Sequence, residues 1–187
     1  MIRSGMVYII NELRALCEAG TADYMIAGSA YWTDEQLQNI LDDYRIDFKF
    51  AELACNEDYQ NGDTVYTDYY LPAGWLEADS SINYIRDGSG GSVSESYTAD
   101  YRTGKFIFNS DQNGKSYYMS GRAYNLQKSA ADIWRKKAAH YAMLYNFSTD
   151  GHNLQREVLM KHCLDMAAQL EASLGMESIG IVRSDTE

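Results

Sequence analysis

The spacing of apolar residues changes twice along the chain, and this change most constrains its fold. Near both ends, over residues 5–18 and 131–174, apolar side chains recur three and four positions apart. In segments of residues 46–108 they alternate with polar side chains instead. The first spacing is typical of helices with one buried face, and the second is typical of half-buried strands. The sequence therefore predicts helices at both ends and an antiparallel β segment between them.

Two helices are predicted before the β segment. The first covers residues 5–18 and ends before Gly20, a residue that favours helix termination. The second begins after Thr33, which forms a capping-box pattern with Gln36. Alternation starts at Ile46, so the first strand is predicted from that residue.

Turn signals divide the β segment into strands. Asn61-Gly62 predicts a hairpin turn, and residues 87–96, rich in glycine and serine, predict a flexible loop. The clearest hairpin has its tight turn at residues 102–104. After the strand from Ile46, further strands are predicted over residues 64–71, 81–85, 97–101 and 105–108.

The predicted fold class is α+β. An N-terminal helix pair and a C-terminal helix pair form a helical bundle, with an inserted antiparallel β segment and an extended C-terminal tail. In this prediction residues 1–175 are a single domain and residues 176–187 are the tail. The domain is helical over 1–45 and 122–175, with a β lobe over about 46–121.

No sequence pattern for catalysis or cofactor binding is found. The three histidines fit no HxxxH or HExxH spacing, and the three cysteines form no CxxC pair. Residues 109–114 resemble half of an EF-hand loop, but Ser120 stands where calcium binding requires a glutamate. We therefore predict a protein that is not an enzyme and that binds no cofactor or metal. Paired carboxylates at 42–43 and 57–58 leave a carboxylate hydrolase open as an alternative.

The sequence gives no sign of export or membrane insertion. The apolar stretch over residues 6–10 is interrupted by Glu12 and Arg14, which is too soon for a signal peptide. No apolar run reaches membrane-spanning length. Three cysteines, an odd number, favour free thiols in a reducing compartment. We expect a protein that is made in a cytoplasm and does not bind membranes.

Charge is segregated along the sequence. Residues 34–68 contain ten Asp or Glu and two Lys or Arg, whereas residues 102–137 contain eight Lys or Arg and two Asp or Glu. The net charge of −11 argues against a general DNA-binding face. The two sections can bind another copy head to tail, a contact that generates rings when the rotation closes. Alternatively, both are solvated faces of one monomer or they pair internally.

Tyrosine outnumbers phenylalanine by 16 to 5. Tyr66, Asp68 and Tyr70 are predicted on the outward face of one strand. Tyrosine offers a large, partly polar contact area and is enriched at protein interfaces, which favours a subunit or partner interface. A carbohydrate-binding platform and ordinary strand propensity are the alternatives.

Several segments resemble the head–tail connector proteins of tailed bacteriophages, also named adaptor or head-completion proteins. The resemblance covers about residues 30–185. Its segments are WTDEQLQNILDDYRID at 32–47, Tyr69-Tyr70-Leu71, residues 97–108, the alanine-rich helix from Tyr124 to Tyr145, residues 147–151 and Arg183-Ser184-Asp185. The smallest proteins of this class are nearly all helical, so the β segment here is an additional lobe.

The resemblance implies a structural virion protein. Such proteins form a homo-oligomeric ring, often a dodecamer, below the portal, where they line the DNA channel and join the DNA-filled head to the tail. The implied partners are other copies of the chain, the portal protein and a downstream neck or tail-completion protein. DNA passes without specific binding. The implied location is the virion neck, after synthesis in the host bacterial cytoplasm. A tyrosine-rich virion module that binds carbohydrate or a receptor is the alternative.

Charge and resemblance together give a hypothesis for the interface. Part of the acidic section faces the channel or the basic section of a neighbouring subunit. The apolar residues of the tail dock on the portal or on a neighbour, unless the terminus is disordered. The candidate residues are Asp42, Asp43, Asp47, Tyr66, Asp68, Tyr70, Arg122, Arg135, Lys136, Lys137, Ile179, Ile181, Val182 and Arg183.

Overall fold

The computed structural model of this chain divides into two compact units. Unit 1 comprises Met1–Ala15 and Ala19–Leu126, and unit 2 comprises Leu16–Glu18 and Gln127–Glu187. The structure describes residues 1–20, 25–26, 29–60, 62–143, 147–149, 152–154 and 156–174.

The helices of unit 1 precede most of its strands. A short 3₁₀ helix, Ser4–Met6, leads into α1 (Val7–Cys17), and α2 is Asp34–Asp43. The Thr33 hydroxyl accepts a hydrogen bond from the Gln36 N–H at 3.4 Å, and the Gln36 side chain accepts one from the Thr33 N–H at 2.9 Å. The predicted capping box is therefore confirmed.

The strands of unit 1 begin with a two-stranded pair, β1 (Met25–Ile26) and β2 (Ser29–Ala30). Seven more follow, counted over the described residues: β3 (Arg45–Glu52), β4 (Ala54–Gln60), β5 (Asp63–Tyr70), β6 (Tyr84–Asp87), β7 (Tyr97–Asp100), β8 (Lys105–Phe108) and β9 (Tyr117–Tyr124). They form two antiparallel sheets, one in the order β3-β9-β6 and the other in the order β4-β5-β8-β7. Both predicted hairpins are present, as the pairs β4–β5 and β7–β8.

Both sheets contribute to one apolar core. Tyr69 of β5, Phe108 of β8 and Tyr117 of β9 meet there, with ring centroids 4.7–5.2 Å apart. Such aromatic pairs contribute about 1 kcal/mol each beyond the burial of their area. Strand β3 passes into β4 through Leu53 alone, a buried core residue whose N–H donates to the Tyr117 carbonyl at 2.8 Å. The chain therefore changes sheets at this residue.

A buried ionic cluster connects the N-terminus to the sheets and to α2. The Glu77 side chain is fully buried and accepts hydrogen bonds from Arg3 Nε at 3.0 Å and from the Tyr124 hydroxyl at 2.9 Å. The Arg3 guanidinium also forms a two-pronged pair with Asp42. Because a buried carboxylate is costly without partners, these contacts are what permit Glu77 to lie in the interior.

Unit 2 contains α3 (Leu126–Met143), β10 (Phe147–Thr149), β11 (His152–Leu154) and α4 (Arg156–Leu174). Its core joins α3 to α4 through Ala131, Trp134, Ala138, Cys163 and Ala167. The small side chains allow the two helices to approach closely.

The predicted fold class is wrong. In the described chain, most of α1 and all of α2 belong to the same unit as the two antiparallel sheets, and α4 and nearly all of α3 belong to the other. The sheets are therefore a main part of the fold and exceed a segment inserted into a helical bundle. Strand β9 is the central strand of its sheet, although its last residues were predicted to be helical. Its sequence does not alternate clearly because a central strand is partly buried on both faces.

Candidate protein interaction surface

The hairpin of β4 and β5 extends beyond the four-stranded sheet. Strand β5 pairs with β8 only through Asp68–Tyr70. One further contact comes from a loop, where Asp111 accepts a hydrogen bond from the Tyr66 N–H at 2.9 Å and the Gln112 N–H donates to the Tyr66 carbonyl at 3.0 Å. Within the part of the chain that the structure describes, residues 57–65 have strand partners only in each other. We term residues 57–65 the arm; Asn61 lies outside the described residues.

The arm is exposed and acidic. All seven residues of β4 are exposed, and the Tyr59 side chain near the tip is 73% exposed. The arm contains Glu57, Asp58 and Asp63, whereas residues 50–85 contain no Lys or Arg. Hydrogen bonds from the Gln60 side chain and the Tyr59 N–H lower the pKa of Asp58, so its carboxylate is ionised at neutral pH. A two-stranded hairpin of this kind is only marginally stable without a supporting layer.

Alternation along β5 places Tyr66, Asp68 and Tyr70 on the outer face of the four-stranded sheet, opposite the buried Tyr69, as predicted. Lys105 forms an ion pair with Asp68 at 2.6 Å and lies 5.3 Å from the centre of the Tyr70 ring. This lysine therefore lies near the Tyr70 ring, while Tyr66 has other neighbours.

Tyr66 is held by neighbours on both sides. Its hydroxyl donates to the Glu57 carboxylate at 3.3 Å, and its ring lies beside Gly114, where an added Cβ would be 3.7 Å away. Negative charge from Glu57 raises the pKa of Tyr66, so the hydroxyl remains a donor at neutral pH. The ring is consequently a fixed part of the base of the arm.

The two oppositely charged sections of the sequence pair partly within unit 1. Asp47 and Arg122 face each other across β3 and β9 at 3.7 Å, and Asp68 pairs with Lys105 as described. Internal pairing was the alternative that the sequence left open. The acidic arm takes no part in it: among the described residues, no Lys or Arg pairs with residues 57–65.

Two of the predicted interface residues have internal roles instead. Asp42 is partly buried and pairs with Arg3. Lys137 is only 4% exposed, and its ammonium donates to the carbonyls of Cys17 at 2.8 Å and Glu18 at 3.1 Å. These carbonyls lie at the C-terminal end of α1, where a lysine ammonium is favoured because it satisfies the last carbonyl groups of a helix. Both side chains are therefore engaged by contacts within their own chain.

The remaining predicted residues lie apart. Asp43 is exposed at the end of α2. Arg135 and Lys136 are exposed on α3 and pair with Glu171 and Asp132, respectively. The tail residues fall outside the described part of the chain; they are Ile179, Ile181, Val182 and Arg183.

A groove that the sequence did not predict lies on the outer face of the three-stranded sheet. Its volume is about 360 Å³, and its lining includes Lys49 of β3, Arg122 of β9 and Tyr84 of β6. A glycine permits the close packing beneath it, because a Cβ on Gly121 would lie 1.6 Å from the Asn83 side-chain oxygen. Three sequence-distant segments form the groove, so no local pattern signals it.

The loop that resembles half of an EF-hand has a structural role. The Asp111 carboxylate accepts hydrogen bonds from the N–H groups of Asn113 and Tyr66, and these bonds lower its pKa. Among the described residues, no group of three or more His, Cys, Asp or Glu is placed to hold a metal ion. None of the described helices is long and apolar enough to cross a membrane.

Comparison with protein-family models, with curated proteins and with solved structures gives no match to this chain.

Proposed function

We propose that this protein is a head–tail adaptor of a tailed bacteriophage. In this proposal it is a structural, non-enzymatic subunit that forms a ring below the portal and joins the DNA-filled head to the tail. The observation that carries the proposal is the arm, an acidic hairpin that, among the described residues, extends past the other strands of its sheet. Since such a hairpin is marginal alone, a neighbouring molecule that covers it explains why it is retained.

The charge distribution supports a role around DNA that moves. Residues 50–85 contain seven Asp or Glu and no Lys or Arg, and this stretch includes the whole arm. The exposed carboxylates of Glu52 and Glu57 pair with no Lys or Arg among the described residues, so they neutralise no phosphates and add no salt-dependent affinity for the duplex. An acidic channel wall repels DNA and allows it to slide through the ring.

The alternative function is a virion module that binds carbohydrate through its tyrosines. It receives less support, because Lys105 lies over the ring of Tyr70 and Gly114 lies beside the ring of Tyr66. Each ring therefore has a neighbour that takes up part of the surface that a sugar would use. A glycan-binding screen separates the two functions, and binding that is lost in a Tyr66→Ala variant supports the module.

The direct experiment combines the purified chain with the portal protein of the same phage. Mass photometry and electron microscopy of the mixture measure copy number and position. We expect a closed ring on one end of the portal, and no ring on an unrelated portal. A chain that stays monomeric with its own portal, or that lies away from the neck in imaged virions, contradicts the proposal.

A further inference from the structure

We infer that the arm of one subunit inserts its tip into the groove on the three-stranded sheet of the next subunit. This inference rests on the proposed function, because it assigns the contact that repeats around the ring. The occupant of the groove is thus a second copy of this chain. The contact uses two different surfaces, so it is heterologous and generates a ring when the rotation closes.

Shape supports this pairing. Tyr59 is highly exposed near the arm tip, and the groove of about 360 Å³ is large enough for an aromatic side chain with its neighbours. Tyrosine is enriched among the residues that dominate interface energies, especially where it fills a pocket on the partner. The Tyr59 side chain and the groove are therefore compatible in size.

Charge supports it as well. The tip carries Asp58 and Asp63, and the groove presents the exposed Lys49; Arg122, which also lines it, lies 3.9 Å from Glu77 as well. Asp47 also lines the groove and pairs with Arg122, so Lys49 is the lysine we expect to meet the incoming carboxylates. Complementary charge of this kind fixes the register of a contact and speeds association.

The edge of β4 is poorly suited to a simpler contact by strand addition. Its pairing with β5 is irregular between Asn56 and Asp58, and charged Glu57 and Asp58 lie at that point. Bulges and charges are the features by which exposed edge strands avoid pairing with other chains. The contact is therefore expected to use side chains at the tip and not the strand edge.

The arm does not fill the groove of its own chain. None of the described residues that line the groove belongs to the arm. Lys49 and Tyr59 lie on successive strands that belong to different sheets, because the chain changes sheets at Leu53. The groove is thus open to the arm of another subunit.

Charge exchange tests the inference. We expect Asp58→Lys and Lys49→Glu each to weaken ring formation on the portal by at least about tenfold, and the double variant to recover most of it. Tyr59→Ala is expected to weaken it without recovery. Lys161→Glu on α4 makes the same charge change at another exposed position and serves as the matched control. Thermal unfolding of each variant confirms that it folds.

Cross-linking gives an independent measurement. Cys55 at the base of the arm is exposed, whereas Cys17 and Cys163 are buried. A photoreactive maleimide placed on Cys55 is expected to link to residues 45–52, 79–86 or 117–124 of another copy. Two results overturn the inference and leave the adaptor proposal intact, provided that the wild type forms rings. The first is normal assembly of the arm variants, and the second is cross-links to other residues. Failure of the wild type to assemble on its portal overturns both.

Discussion

At the scale of single residues, partners decide what a charged side chain does in this protein. Glu77 is fully buried and has Arg3 and Tyr124 as hydrogen-bond partners, whereas Asp43 is exposed. Both are carboxylates, but only the first is part of the interior. Loss of the charge is therefore expected to lower the free energy of unfolding much more at Glu77 than at Asp43.

Substitution of Glu77 tests this difference. We expect Glu77→Gln to lower the free energy of unfolding by about 3 kcal/mol, because the fully buried side chain loses the charge with which it holds Arg3. Asp43→Asn is the control and is expected to change it by less than about 0.5 kcal/mol. Urea unfolding measures both values, and equal effects of the two substitutions contradict this account.

Asp100 predicts a pH dependence. Hydrogen bonds from the Thr103 hydroxyl and the Arg102 N–H lower the pKa of Asp100 below its ordinary value of 3.8. A lowered folded-state pKa adds stability that is present above the ordinary value and is lost as the pH falls through the folded-state value. Asp100→Asn is therefore expected to be less stable than wild type at pH 7, with the two melting temperatures converging towards pH 2. A difference in melting temperature that is constant with pH would contradict this.

At the scale of elements, the turn between β7 and β8 depends on a glycine for two reasons. Gly104 has φ +71°, a conformation that side chains disfavour, and an added Cβ would lie 2.4 Å from the Ala73 carbonyl oxygen. Gly90 has φ +84° but open space around it. Substitution of Gly90 therefore measures backbone strain alone, and substitution of Gly104 measures strain together with a steric clash.

We expect Gly104→Ala to destabilise the protein by about 2–4 kcal/mol and Gly90→Ala by about 1 kcal/mol. Only the first substitution forces backbone atoms of residues 71–73 to move. Thermal or chemical unfolding of the two variants measures the difference. If both cost the same, the close approach at Gly104 has no energetic consequence.

Removal of the arm is expected to affect assembly and not stability. Because residues 57–65 lie beyond the other strands of their sheet, replacing residues 58–65 with Asn-Gly is expected to change the free energy of unfolding by less than about 1 kcal/mol. The same change is expected to abolish ring formation on the portal. A large loss of stability would mean that the arm supports its own subunit.

At the scale of the whole molecule, the charged side chains of a subunit fall into two sets. Some pair within unit 1, as the buried Glu77 does with Arg3, and others remain on the surface, as those of the arm do. Contacts between exposed charges are screened strongly by salt, whereas buried contacts are screened much less. Assembly and folding should therefore respond differently to ionic strength.

We expect the association constant for ring assembly to fall at least about tenfold between 0.05 M and 0.5 M NaCl. The melting temperature of the single subunit is expected to change little, since its buried aromatic core is insensitive to screening. Mass photometry across the salt series measures the first quantity, and calorimetry measures the second. Assembly that is independent of salt would indicate an apolar interface instead.

Local features of the fold were predictable from the sequence. The capping box at Thr33 and the hairpin turns at Gly62 and Gly104 involve residues within four positions of one another. The outer face of β5 follows from simple alternation. Strand β9 was not predicted, because residues that face neighbours on both sides leave no alternating pattern.

The sequence by itself determined where strands, turns and caps form, because neighbouring residues set those preferences. Only the tertiary structure decided which of the many charges are used internally, as with Glu77 and Lys137, because their partners lie 74 and 120 positions away along the chain. The same holds for the groove, whose Lys49, Tyr84 and Arg122 meet only when three strands pair. Contacts between distant segments depend on sheet order, and sheet order is a property of the folded chain.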